Sequence, residues 1–230
     1  MAKVLAVDDE PQILTALGRG LGRVGHDVVV ARNGHDGLAA AASGAPQLVL
    51  LDLRLPDIDG IEVVRRLRTW SEVPIVLLSG EGSEKARIAA LDAGADDFVD
   101  KPFSMEELRA RVGAVLRRTS HVATAPRGPE LDHDGLRIDL ASRTVERDGQ
   151  LVRLTPTQWR LLEALVAHPG KLLTYRDIIT VVWDERHGDE ARDSLRVHLR
   201  GLRKQLGDDA AAPRYIATEP GVGCRWVGGS

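Results

Sequence analysis

The sequence predicts two domains: a doubly wound α/β domain on a five-stranded parallel sheet, then a smaller α+β domain. Three observations carry this. Short apolar runs alternate with helix-like segments through about the first 118 residues, as a repeating βα unit requires. The run Gln47-Leu48-Val49-Leu50-Leu51 ends abruptly in Asp52 without polar alternation, which fits a strand buried on both faces. After a Pro/Gly-rich break the pattern changes to strand-like pieces, then helices, then a hairpin. A chain of 230 residues is long enough for two cores.

Taken in order, the strand candidates of the first half are Val4–Val7, Asp27–Ala31, Leu48–Asp52, Ile75–Leu78 and Asp97–Asp100. The helix candidates are 11–24, 34–43, 59–69, 83–93 and 104–118. Pro11 suits a first helical position, and Ser104-Met105-Glu106-Glu107 reads as a capping box. Strand ends matter most here, because open parallel sheets bind ligands beyond the carboxyl ends of their strands. These strands finish in Asp8-Asp9-Glu10, in Asp52, in Ser79-Gly80 and in Lys101-Pro102. Taken alone, Asp52 fits a turn cap equally well, since Pro56-Asp57 and Gly60 follow it.

Together these groups define a chemistry. Clustered carboxylates repel one another unless a cation lies among them, and hard oxygen ligands suit Mg²⁺. A carboxylate beside that ion can act as a nucleophile toward phosphorus and form an acyl phosphate. An ammonium and a hydroxyl are the groups that would hold phosphoryl oxygens. Asp8-Asp9, Asp52, Ser79 and Lys101-Pro102-Phe103 resemble the receiver domain of bacterial two-component response regulators over about residues 1–118. The resemblance implies a flavodoxin-like strand order and Asp52 as phosphoacceptor. It also implies Mg²⁺ held by Asp8, Asp9, Asp52 and the backbone carbonyl of Arg54, and switch roles for Ser79, Phe98 and Lys101.

Composition narrows the rest. No apolar run approaches the ~18 residues of a membrane span, and the first strand begins too early to leave room for a signal peptide. The single cysteine, Cys224, excludes an internal disulfide framework and fits a reducing cytosol, so a cytoplasmic protein is expected. Residues 1–120 carry 15 Lys/Arg against 18 Asp/Glu and the remainder 16 of each, so any nucleic-acid surface must be a local stripe. Sparse aromatic residues disfavour a base-stacking platform.

The last two helices of the first half and their connection carry Arg87, Ile88, Leu91, Asp96, Asp97, Glu107, Ala110, Arg111 and Arg118. By charge alone this is a solvated mixed surface, since exposed ion pairs contribute only about 0–1 kcal/mol each. In the OmpR/PhoB family the region is a symmetric dimer face, and resemblance to that family implies the pairs Arg87–Glu107, Asp97–Arg111 and Asp96–Arg118 across it. Phe98 stands where those proteins more often carry a switching tyrosine. Gly80 stands where alanine is frequent, and is expected to loosen the loop after Ser79.

Residues 119–130 read as a linker. Beyond it come strand pieces at Leu136–Asp139, Thr144–Arg147 and Leu151–Arg153, with Asp148-Gly149 as a hairpin turn. Helices are expected from Thr155-Pro156 to about His168, from Thr174 to Val182, and over 191–206. In the last, Leu195, Leu199, Leu202 and Leu206 form one narrow face, and Arg192, Arg196, Arg200, Arg203 and Lys204 lie beside it. That pattern suits a recognition helix in a major groove, or equally an amphipathic helix with a solvated basic flank. A hairpin follows, Arg214–Thr218 against Cys224–Val227.

Leu154-Thr155-Pro156, Leu195–Arg200 and Gly221–Trp226 resemble the winged helix-turn-helix of OmpR/PhoB regulators over roughly 131–228. The DNA contacts so implied are Arg192, Ser194, Arg196, Val197, His198, Arg200, Gly201, Arg203 and Lys204, with Arg225 near the wing tip. Arg203 is expected either to join them or to anchor its helix. Leu195 to Leu202, Pro213-Arg214-Tyr215 and Thr218–Gly223 look most like the branch of the family that controls potassium transport. Cys224 replaces a tyrosine and reads as a small buried hydrophobe. The 183–190 loop corresponds to one that touches RNA polymerase in the family. The resemblance thus implies a DNA-binding regulator with a sensor histidine kinase, promoter DNA and a second copy of itself as partners. Its rivals are an aspartyl-phosphate enzyme, a phosphorylation-independent DNA binder whose receiver only dimerises, and a protein-interaction output.

Overall fold

Five parallel strands form the sheet of the first half: β1 (Lys3–Val7), β2 (Asp27–Ala31), β3 (Leu48–Asp52), β4 (Ile75–Ser79) and β5 (Asp97–Asp100). Their order is β2-β1-β3-β4-β5, the flavodoxin-like arrangement. The computed structural model describes residues 1–80, 84–120, 130–183 and 190–229. The chain divides into two units between Ser120 and His121.

Every residue of β3 and β4 is buried, which explains why neither strand alternates. Burying each of their leucines and isoleucines is worth about 1.5–3 kcal/mol. Helices α1 (Pro11–Gly22), α2 (Gly34–Gly44), α3 (Gly60–Arg68), α4 (Glu84–Asp92) and α5 (Met105–Ser120) connect and follow the strands. Their starts are chemically specified. Pro11 opens α1; Asn33 caps α2 by accepting from the Asp36 N–H; Asp59 caps α3 through the Ile61 N–H. Ser104 Oγ accepts the Glu107 N–H at 3.0 Å, one half of the expected box.

Two features tie the loop after Asp52 into place. A Cβ at Gly60 would stand 2.8 Å from Leu53 Cα and closer still to the Asp52 carbonyl, so only glycine fits against that strand end. Asp57 accepts the Gly34 and His35 N–H groups at 2.8 Å each, pinning the loop to the start of α2. Although desolvation acts the other way, these backbone donors hold the Asp57 carboxyl well below its usual range.

The second unit begins with an antiparallel sheet of β6 (Glu130–His133), β7 (Leu136–Asp139), β8 (Thr144–Arg147) and β9 (Gln150–Val152). β6 was not anticipated, because Glu-Leu-Asp-His carries no apolar run; pairing with β7 makes it a strand. Helices α6 (Pro156–Val166) and α7 (Tyr175–Val182) each open with a reciprocal capping box, Thr155 with Gln158 and Thr174 with Asp177. Strand β10 (Leu173–Thr174), helix α8 (Glu190–Leu206) and strands β11 (Ile216–Glu219) and β12 (Gly223–Trp226) complete the unit, with strand order β10-β12-β11. The core gathers Trp159, Trp183, Tyr215 and Trp226 with the leucine face of α8. Cys224 lies fully buried inside it, where desolvation pushes the thiol up. Most of the linker, 121–129, and most of the polymerase-type loop, 184–189, lie outside the described residues.

Candidate acidic site and nucleic-acid interface

Parallel strands deliver the expected constellation to one edge. Asp8 follows β1, Asp52 ends β3, Ser79 ends β4 and Lys101 follows β5. Carboxylate oxygens of Asp8, Asp9 and Asp52 lie within 4.8 Å of one another. Lys101 Nζ stands 2.8 Å from Asp8 Oδ2 and 3.0 Å from Asp52 Oδ1. It also approaches Glu10 Oε1 at 3.4 Å, a third acid that was visible in the sequence but given no role.

The electrostatics follow from burial. Asp8 and Asp52 are buried while Asp9 is exposed. Desolvation raises the Asp52 carboxyl above its ordinary range, Lys101 opposes it, and the Asp8 charge adds to the rise. Burial alone would lower Lys101, but hydrogen bonds to Asp8 and Asp52 outweigh it and keep the ammonium charged. A cluster of three carboxylates with one ammonium fits a hard divalent cation, which would relieve the remaining repulsion. The Arg54 N–H donates to Asp52 Oδ2 at 3.1 Å, so the residue expected to supply a carbonyl ligand sits directly beside Asp52.

Ser79 Oγ donates to the Gly80 carbonyl at 3.0 Å. Gly80 does not use the left-handed backbone region. A Cβ at that position would meet only the tip of the flexible Arg54 side chain, its Nη2 at 2.9 Å, which can move aside. Phe98 is buried, with the Arg87 guanidinium 4.4 Å above its ring.

The expected dimer face needs correction in two places, Asp96 and Asp97. Asp96 is 1 % exposed, accepts the Ile75 N–H, and pairs with Arg68 at 2.8 Å, so it is an internal counterion rather than a surface partner for Arg118. The Arg118 side chain lies outside the described residues. Asp97 is buried and lies 3.6 Å from Arg111 of its own chain, while Arg111 also pairs with Glu107 at 3.2 Å. Arg87 lies 3.3 Å from Asp100 of its own chain, and both Asp100 and Glu107 keep exposed carboxylates. Of the apolar members, Leu91 is buried, and Ile88 and Ala110 are half-buried. Charge pattern alone could not separate internal from intermolecular pairs, because strand burial decides which acids face inward.

On α8, Leu195, Leu199, Leu202 and Leu206 are buried as the periodicity requires. Arg192, Arg196, Arg200 and Lys204 are exposed, and so is Arg225 on β12. The buried face is wider than four leucines. Ser194, Val197 and His198 are buried too, with the His198 ring 5.6 Å from Trp183, so these three are not placed to touch DNA. Gly201 packs on α6: a Cβ there would stand 2.8 Å from Gln158 Nε2. Arg203 is also turned inward, donating to the Ile216 carbonyl at 3.0 Å and to Thr218 Oγ1 at 2.6 Å. Arg192, Arg196, Arg200 and Tyr175 line a cleft of about 240 Å³ that reaches Thr218 and Gly221 of the wing. No sequence signal singled out Tyr175 or Thr218; only closure of the wing on the helix brings them there.

A receiver domain followed by a winged helix defines a class, and the chain belongs to the DNA-binding response regulators of OmpR/PhoB type. Residues 4–113 match the response regulator receiver domain, and 149–226 match the C-terminal domain of transcriptional regulatory proteins. Within the class it is similar to KdpE. The transcriptional regulatory protein KdpE of Mycobacterium tuberculosis is 42% identical over 98% of this chain and 99% of its own length. The KDP operon transcriptional regulatory protein KdpE of Escherichia coli is 43% identical over 99% and 100%. Among solved structures, response regulator DrrB of Thermotoga maritima, an OmpR/PhoB homologue, superposes with a TM-score of 0.53 at 30% identity, covering 99% of this chain and all of that one. No described helix is long and apolar enough to cross a membrane.

Proposed function

We propose that this protein is a phosphorylation-controlled transcription regulator. A sensor histidine kinase presents a phosphohistidine to the acidic site. Asp52 Oδ attacks phosphorus, a P–O bond forms, the P–N bond breaks, and the pair of electrons returns to the imidazole. Asp8, Asp9, Asp52 and the Arg54 carbonyl would hold Mg²⁺, which supplies neutralising charge for the carboxylates and phosphoryl oxygens. Lys101 then moves from its Asp52 contact to a phosphoryl oxygen, and the Ser79 hydroxyl turns from the Gly80 carbonyl to another. Phe98, beside β4, and Arg87, stacked over its ring, carry the change to the 83–118 face, where two copies pair. Paired copies set two winged helices on promoter DNA, with Arg192, Arg196, Arg200 and Lys204 on the major groove and its phosphates, and Arg225 at the minor groove. The 183–190 loop engages RNA polymerase.

The observation that carries this reading is the convergence of Asp8, Asp9, Asp52 and Lys101 on one sheet edge, with Lys101 Nζ 3.0 Å from Asp52. The identity to KdpE regulators supports a potassium-transport operon as the target. The test titrates wild type and Asp52→Ala onto upstream promoter duplexes, with and without acetyl phosphate and Mg²⁺, while light scattering records mass. Tighter binding and dimerisation only in phosphorylated wild type support the proposal. Equal binding by both as preformed dimers would instead make the receiver a constitutive scaffold.

A further inference from the structure

We propose that Arg203 is a strut that sets the spacing between the recognition helix and the wing, rather than a DNA contact. The inference rests on the DNA-binding reading above and assigns a positioning role within it. Arg203 lies one turn before the end of α8, on the flank that otherwise faces solvent with Arg196 and Arg200. Its side chain is nevertheless only 11% exposed. The guanidinium donates to the Ile216 carbonyl at 3.0 Å and to Thr218 Oγ1 at 2.6 Å, both on β11. Its Nε faces Asp208 Oδ2 at 3.7 Å, a charge contact rather than a hydrogen bond.

Asp208 completes the joint. Its fully buried carboxylate accepts three successive backbone N–H groups, from Arg214 at 2.7 Å, Tyr215 at 3.2 Å and Ile216 at 3.1 Å. Those donors form the entry to β11. The Asp208 N–H in turn donates to the Arg203 carbonyl at 2.9 Å, closing the end of α8, where Gly207 takes a positive φ of 71°. The Arg203 carbonyl therefore holds the loop through Asp208, while its side chain holds β11, the strand that loop leads into. Thr218 pairs with Cys224 and Ala217 with Arg225, so the strand braced by Arg203 carries Arg225 on its partner. Nη2 serves both β11 acceptors while Nε faces Asp208, so the extended guanidinium spans two places at once, whereas a lysine ammonium is a single point that cannot. Both hydrogen bonds leave Nη2, which holds the guanidinium against β11 where the side chain also lines the cleft beside Arg196 and Arg200. The cleft between α8 and the wing takes its width from this joint.

The test uses the full chain and a duplex from its own upstream region. Arg203→Ala, Arg203→Lys, Arg225→Ala, the R203A/R225A double variant and the control Arg200→Ala are titrated across a salt series. Hydrogen exchange of the 218–223 amides is followed in the free protein. R203A and R225A should each weaken binding by roughly tenfold, and the double variant by little more than the worse single one, because both changes remove the same wing contact. Lysine at 203 should fail to restore affinity, and wing amides should exchange faster in R203A and R203K but not in R200A. Multiplied losses, rescue by lysine, a salt slope lower by about one in R203A on the R225A background, and unchanged wing exchange would overturn the proposal. If R203A lacks the wild-type fold by circular dichroism, Thr218→Val, which removes one acceptor without a charge change, takes its place under the same criteria. Failure of the DNA-binding reading looks different: neither R200A nor R225A then changes affinity, and the wing amides alone judge the strut.

Discussion

Replacing Asp96 by alanine separates an internal counterion from a dimer contact. In the structure Asp96 Oδ2 holds both the Arg68 guanidinium at 2.8 Å and the Ile75 N–H at 3.0 Å. Arg68 is itself only 12% exposed and also donates to the Gly94, Ser71 and Val73 carbonyls. Desolvation by burial pulls Arg68 below its ordinary range even with Asp96 beside it. Asp96→Ala thus leaves a buried guanidinium without its counterion and the Ile75 N–H without an acceptor. Removing one partner of a buried pair costs about 3–5 kcal/mol, about a fifth or more of the ~5–15 kcal/mol that holds a typical domain together. With a urea slope of about 2 kcal/mol per molar, the receiver midpoint should fall by roughly 2 M. Trp70, half-exposed at the end of α3 and the only tryptophan in the receiver, reports that transition by fluorescence against a background from the C-terminal unit. Measurement at dilutions where the unphosphorylated chain is monomeric removes any dimer contribution. A shift under about 0.5 M, with dimerisation lost on phosphorylation, would refute the internal assignment and restore Asp96 to the dimer face.

Other outcomes follow from the same geometry. Gly60→Ala should push the Asp52 carbonyl and Leu53 apart, slowing acetyl-phosphate labelling of Asp52 by about tenfold or more and destabilising the receiver by about 1–3 kcal/mol; labelling and urea melts check both. Asp57 is held below its ordinary value of 3.8, so its contribution to stability is full above that pH and is lost as pH falls below it. The melting difference between wild type and Asp57→Asn should therefore be constant near neutrality and shrink in acid. Arg200→Ala should lower the slope of log affinity against log salt by about 0.9 if it neutralises one phosphate, measured by anisotropy on promoter duplex. His198→Ala, by contrast, should leave that slope unchanged and lower the melting temperature of the C-terminal unit, since it opens a void beside Trp183.

Sequence alone determined the sheet, most of the helices and the acidic site. Unalternated runs such as Leu48–Leu51 can only be satisfied by burial on both faces, and parallel strands deliver whatever follows each run to one edge. Asp8, Asp52, Ser79 and Lys101 were legible for that reason, as was the leucine face of α8, which repeats with the helical period. Tertiary structure decided the rest. β6 exists only because β7 offers its edge. Asp96 and Asp97 face inward, Ser194, Val197 and His198 lie under neighbouring elements, and Arg203 turns from the groove to the wing. None of this has a period, because a charged or polar side chain on a helix flank or strand end follows whichever partner folds against it. Local pattern specifies which backbone faces a core; only packing specifies which charges meet.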